Sequence, residues 1–272
     1  MTPGRTLFKQ GFGEEMRRTF TFFIFGAMAL VLMRDIAAAQ WLDVRLPGTP
    51  RAADGRPDLS APAPKTSDGK PDLSGIWRVA DARFLMNLAA DEPGGAPFQP
   101  WAATLYKERE DNLAKDRPSG HCLPHAVPDA MMVRSGPFKI AQTPGVVFIL
   151  FEEMNHYRQI FTDGRGFPKS MNPTWYGYSI GKWDGDTFVV DTTGFNDRSW
   201  LDDPGHPHTE AMRVTEKLRR SDFGHLEIQI TIDDLKAYTK PWTMTTRFDL
   251  MPDTELIENI CEDKDTPHLV GK

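Results

Sequence analysis

The sequence predicts an all-β protein built as a single antiparallel β-barrel of about eight or nine strands, with an irregular N-terminal region and one or two short helices. Three observations carry that expectation. From Phe138 onward the apolar residues come in short alternating runs, each closed by Gly, Pro, Asn or Asp. Asp184-Gly185 stands between two such runs and is the strongest hairpin signal in the chain. Nothing between the runs has the period of a helix, so a barrel or sandwich fits and an α/β scheme does not.

Taken in order, the chain opens on an export signal. Arg17-Arg18 precede an apolar run from Phe20 to Met33, and Ala37-Ala38-Ala39 supplies small residues for cleavage before Gln40, so residues 1–39 read as a signal peptide. Met16 makes a tidier start than Met1. The arginine pair resembles a twin-arginine signal without separating that route from the general one, and a single membrane anchor is the alternative. The run is shorter than the ~20 residues of a spanning helix, so no membrane span is expected once the signal is removed. The expected location is periplasmic or secreted. Residues 40–70 form an extended Pro/Gly/Ala-rich lead-in, where Asp54-Gly55-Arg56-Pro57-Asp58-Leu59-Ser60 is echoed by Asp68-Gly69-Lys70-Pro71-Asp72-Leu73-Ser74. Two copies do not make a repeat architecture.

Residues 71–272 are expected to form the barrel domain, with a helical or irregular insertion at 78–135. A surface helix is expected after Pro100, where proline suits a first turn. Strands are expected at 138–142, 146–152, 157–161, 175–181, 187–192, 208–219, 225–232, 242–250 and 256–261. Alternation sets their faces. Leu226, Ile228, Ile230 and Ile232 form one wholly apolar face, as Trp242, Met244, Phe248 and Leu250 nearly do. A strand continuous from His208 instead puts His208, Glu210 and Glu216 on the face that carries Met212, Val214 and Leu218. If the strand starts at Ala211, His208 and Glu210 lie on a loop and Glu216 pairs with an arginine such as Arg158 or Arg165.

A net charge of -6 and a pI near 5.7 argue against a nucleic-acid partner. The two cysteines, Cys122 and Cys261, read as a disulfide in an oxidising compartment, with two buried free thiols as the alternative. His121 and His125 flank Cys122, but that disulfide and Pro124 disfavour a metal there. His206-Pro207-His208-Thr209-Glu210 has the alternating spacing by which a strand offers His206, His208 and Glu210 to one ion, yet three residues in one tract fall short of a site, and no cofactor is expected. The motifs of serine hydrolases, nucleotide sites and dinucleotide folds are missing from the sequence.

Leu73-Ser74-Gly75-Ile76-Trp77 resembles the opening of the lipocalin and wider calycin barrels, where the tryptophan closes the barrel floor, often under an arginine from a late strand. More extensively, residues 71–263 resemble a family of exported bacterial proteins, frequent in acidobacteria and some proteobacteria. The resemblance rests on PDLSGIW at 71–77, PFQPWA at 97–102, CLP at 122–124, YRQIFTDGR at 157–165, NPTWYGYSIGKWDGDTFVV at 172–190, TTGFNDRSWLD at 192–202, GHPHTEAMRVTE at 205–216 and ITIDDLKAYTKPW at 230–242. It implies export and a single domain; no general activity attaches to the family.

The leading functional expectation is a barrel with a cavity for a small apolar or aromatic molecule, lined by Trp175, Tyr176, Tyr178 and Trp200 with Asn196 at its mouth. Its sharper form is a cofactor-independent lyase, isomerase or hydrolase, in which His208 works with Glu210 or Glu216 as acid and base, His206 assists, and Arg158, Asp163 and Arg165 hold a loop or a substrate anion. A non-catalytic lipocalin-like binding protein is the alternative. A structural or interaction module is a third.

Overall fold

Nine strands close into one barrel in chain order: β1 (Gly75–Val79), β2 (Phe138–Thr143), β3 (Val146–Phe151), β4 (Tyr157–Phe161), β5 (Tyr178–Asp184), β6 (Thr187–Thr193), β7 (Arg213–Arg220), β8 (His225–Asp233) and β9 (Trp242–Leu250). The structure, a computed structural model, describes residues 44–261, so the signal segment expected at 1–39 lies outside the described residues. β9 pairs back onto β1, with Trp77 opposite Leu250, and no sheet edge is left open. Among the described residues there are two short α-helices, α1 (Arg83–Met86) and α2 (Pro100–Asp111), and Pro100 does open the second.

Three expectations are corrected in detail. β4 and β5 run parallel, with Ile160 opposite Ser179, because residues 162–177 carry the chain back before β5 begins. Residues 256–261 form no strand; they tie to the β3–β4 connection, where Ile257 N donates to a Glu152 carboxylate oxygen at 3.1 Å. β7 starts at Arg213, so the continuous strand from His208 does not form.

The two barrel ends differ. The floor is made by tight turns at 144–145, 185–186 and 221–224 and by the lead-in, whose Leu59 and Ala61 carbonyls accept from Gly224 N and Phe223 N at 2.7 Å. The echoed sequence gives echoed structure: each copy forms a small bridged turn, Arg51 with Pro57 and Lys65 with Pro71. Above them the fully buried Trp77 donates its indole N–H to Leu73 O at 3.0 Å. Arg220 from β7 lies 4.9 Å from the Trp77 ring and donates to Asp72 O at 2.6 Å, the arrangement the Gly-x-Trp resemblance implies. The interior is filled by alternating side chains, among them Phe138, Phe188, Ile228 and Phe248, each at most 1% exposed.

Four connections meet at the other end: residues 80–137 between β1 and β2, 152–156 between β3 and β4, 194–212 between β6 and β7, and 234–241 between β8 and β9, while residues 162–177 run from the floor to that end. The Cys122–Cys261 disulfide joins the first of them to the chain's C-terminal stretch. No helix of the described residues is long and apolar enough to cross a membrane.

Candidate functional site at the barrel mouth

Loops packed over a barrel must satisfy their own backbone groups, and buried carboxylates do that here. Asp202 is fully buried and accepts four hydrogen bonds: from Leu88 N at 2.8 Å, from Gly205 N and His206 N at 3.0 Å each, and from His206 Nδ1 at 2.6 Å. Burial works to raise the Asp202 pKa, but His206 and the backbone donors outweigh it and hold the carboxyl below its ordinary value. An ionised Asp202 accepts a hydrogen bond from His206 Nδ1–H, which fixes the neutral ring with its lone pair on Nε2. That ring stacks on Phe98 at 5.1 Å and meets Tyr106 at 4.4 Å and Trp242 at 6.2 Å. Tyr238 packs against both Phe98 and Trp242, and its hydroxyl donates to Pro207 O at 2.8 Å. Trp242 is 2% exposed, and its indole N–H has no acceptor among the described residues.

The chain reaches this geometry through a tight turn. Gly205 sits at φ +107°, where a Cβ would meet Arg109 Cδ at 2.5 Å and the Trp200 ring at 2.9 Å. Arg109, from α2, lies 4.2 Å over Trp200 and donates to Gly205 O at 2.7 Å. Burial lowers its pKa to about 10.

His208 has a different partner. Its Nδ1 faces Thr209 O at 3.2 Å, an acceptor only, so Nδ1 carries the proton and Nε2 accepts from Ser199 Oγ at 2.7 Å. Burial pushes the His208 pKa down and keeps the ring neutral. Asp234 holds the next residue, accepting from Thr209 N at 2.6 Å and Thr209 Oγ1 at 3.0 Å.

A second buried cluster lies beside the first. His125 Nδ1 bonds Asp129 Oδ2, and His125 Nε2 faces Glu153 Oε1 at 3.2 Å. Burial lowers the His125 pKa, but Asp129 and Glu153 overcome it and raise the value to about 10. Burial raises Asp129 to about 6 against the pull of His125. Asp203, next in chain to Asp202, is raised by burial and opposed by Arg117, whose Nη1 lies 2.6 Å from Asp203 Oδ2. Tyr176 stacks on Phe151 nearby at 5.4 Å.

The other residues named from sequence are dispersed. Glu216 is inside the barrel but locked to Arg158, which gives it two hydrogen bonds and also donates to Ser179 Oγ at 3.0 Å and Thr192 Oγ1 at 2.7 Å. Glu210 is exposed in the turn before β7, so it joins neither an acid/base pair with His208 nor a ligand set with His206 and His208. Asp163 and Arg165 pair with each other in an exposed turn, away from Arg158. Tyr178 packs outside the wall on Phe161 at 5.0 Å, Trp175 lies under Arg198, and Asn196 Oδ1 accepts from Arg198 N at 3.1 Å. Of the expected aromatic lining, Tyr176 stacks on Phe151 and Trp200 lies under Arg109, beside the two buried clusters. Open concavities lie elsewhere; one, of about 420 Å³, is a groove among Arg219, Asp222, His225, Glu227 and Arg247, too open and charged to isolate a reaction from water.

Tyr106, Asp129, Ser199, Tyr238 and Trp242 were not singled out as site residues by the sequence reading. A signal existed for Asp129: His125/Asp129, like Asp202/His206, is a carboxylate–imidazole pair four residues apart, a spacing that one turn closes. Comparison with protein-family models and with curated proteins found no match to this chain.

Proposed function

We propose that this is an exported barrel protein whose mouth performs acid/base chemistry on a small apolar or aromatic molecule, with His206 as the proton acceptor. The observation that carries the reading is the buried Asp202–His206 pair, in which the carboxylate fixes the tautomer and leaves Nε2 among Phe98, Tyr106 and Trp242. The rings supply an apolar bed and the unpaired Trp242 N–H offers a donor to a polar atom of the ligand. Half-buried Tyr106 at the edge marks the approach. This reading moves the base from His208 and Glu216 to His206, since Ser199 and Arg158 occupy the other two. Export is supported by the Arg17-Arg18 signal and the disulfide.

The test begins with native mass spectrometry of the protein from the periplasm or medium, to identify any copurified molecule. An aromatic fragment set is then followed through the indole N–H resonances of Trp200 and Trp242. Ligands are expected to shift both resonances. His206→Asn keeps a donor to Asp202 and is expected to abolish turnover while binding survives. Binding with no turnover in the unaltered protein would favour the non-catalytic carrier. Ligands that shift neither tryptophan would sink the site assignment.

A further inference from the structure

We propose that His125, Asp129 and Asp203 form a binding site for one divalent transition-metal ion, with Glu153 as the outer partner of the imidazole. One ligand atom from each of the three lies within 4.8 Å of the others, a spacing that closes on an ion through small side-chain rotations. The second observation is independent of that proximity. Asp129 is 4% exposed, and its Oδ1 is buried with no hydrogen-bond partner among the described residues; Asp203 Oδ1 is in the same condition. Burying an unpaired carboxylate oxygen is unfavourable, and two beside one imidazole form an acceptor set that calls for a cation.

The surrounding contacts divide into ligands and supports. Asp203 gives Oδ2 to Arg117 Nη1 at 2.6 Å, leaving Oδ1. Asp129 gives Oδ2 to His125 Nδ1, leaving its own Oδ1. An ion between Nδ1 and the Asp129 carboxylate would take the place of the proton they share. Glu153, 3.2 Å from Nε2, would then hold the Nε2–H and keep Nδ1 free for the metal, the carboxylate–histidine–metal relay common to such centres. One imidazole nitrogen and two carboxylate oxygens suit Zn²⁺, Mn²⁺ or Fe²⁺ better than Ca²⁺, which takes six or more oxygen ligands. Three protein ligands also leave a position open. The Cys122–Cys261 disulfide lies three residues before His125 and pins that segment. The exposed His121, on the other side of Cys122, takes no part.

The test uses the full mature protein after chelation, titrated with Zn²⁺ by calorimetry and with Co²⁺ by its visible absorption, with Ca²⁺ as comparison. One equivalent of Zn²⁺ is expected, with a Co²⁺ spectrum of mixed nitrogen and oxygen ligation and no comparable uptake of Ca²⁺. Asp129→Asn and Asp203→Asn are expected to abolish binding, Glu153→Gln to weaken it by about 10- to 100-fold, and His121→Ala to leave it unchanged. Thermal melts in chelator check that each variant folds. If one asparagine variant fails to fold, the other decides. Absence of stoichiometric Zn²⁺ uptake, or uptake unchanged in a folded asparagine variant, overturns the proposal, as does uptake lost with His121→Ala.

Discussion

Removal of Glu216 is the most informative single change to the barrel. Arg158 and Glu216 are 2% and 1% exposed, and the guanidinium makes four hydrogen bonds: two to Glu216, one to Ser179 and one to Thr192. Breaking a buried pair on one side leaves a charge without its partner, at about 3 to 5 kcal/mol. For a domain of this size each kcal/mol moves Tm by about 2 to 4 °C, so Glu216→Gln is expected to melt about 10 °C lower. Arg158→Met should do the same. The double variant Arg158→Met/Glu216→Leu removes both charges together, and Ser179 Oγ and Thr192 Oγ1 still bond each other at 2.9 Å. It should therefore recover most of the loss, because apolar replacement of a buried ion pair is often neutral or better. Urea unfolding of the parent, Arg158→Met, Glu216→Leu and the double variant gives the coupling energy directly. Additive losses, or single variants within about 1 kcal/mol of the parent, would refute the structural role assigned here and return Glu216 to the catalytic candidates.

Two further outcomes follow from the mouth. The Cys122–Cys261 bridge spans 139 residues, so replacing both cysteines with serine should lower stability by up to about 5 kcal/mol on the chain-entropy account; unchanged denaturant midpoints would show that the bridge constrains nothing. His125 faces Asp129 and Glu153, with Asp203 and Arg117 adjoining, and its pKa is raised to about 10 in the fold. The stability it contributes is complete below the unfolded value of about 6.5 and is lost as pH rises through about 10. In chelator, unfolding free energy between pH 7 and 10 should fall more steeply for the parent than for His125→Gln, and parallel curves would contradict the assignment.

The barrel was legible because alternation is a local signal. Leu226 to Ile232 and Trp242 to Leu250 show their inward faces directly, and Asp184-Gly185 marks a hairpin that forms as expected. The parallel β4–β5 pair was not legible, since its cause is the path of residues 162–177, a stretch without periodicity. Residues 256–261 look like a strand, yet the barrel is already closed by β9 on β1 and offers no edge to pair with. At the site, His206 and His208 were legible as residues but not as partners. Which carboxylate meets which imidazole depends on two-residue details of turns: Gly205 at positive φ brings His206 back onto Asp202, while Glu210, the carboxylate nearest His208 in sequence, turns outward.

A buried carboxylate in a loop has a mundane explanation: it anchors backbone, and Asp202 and Asp234 both do so. What separates an anchor from a working group is what it has left over. Asp234 spends both oxygens on Thr209 and Lys236, and its removal should be felt only in stability. Asp202 spends both oxygens too, but one of its partners is a ring that retains a second nitrogen. Asp129 and Asp203 each keep an oxygen unspent in a place water does not reach. The floor is built mainly from tight turns and lead-in backbone, with Arg220 donating only to carbonyls around Trp77. Unspent valence is thus concentrated at the end where four connections meet, and that asymmetry supports the site proposed at the mouth.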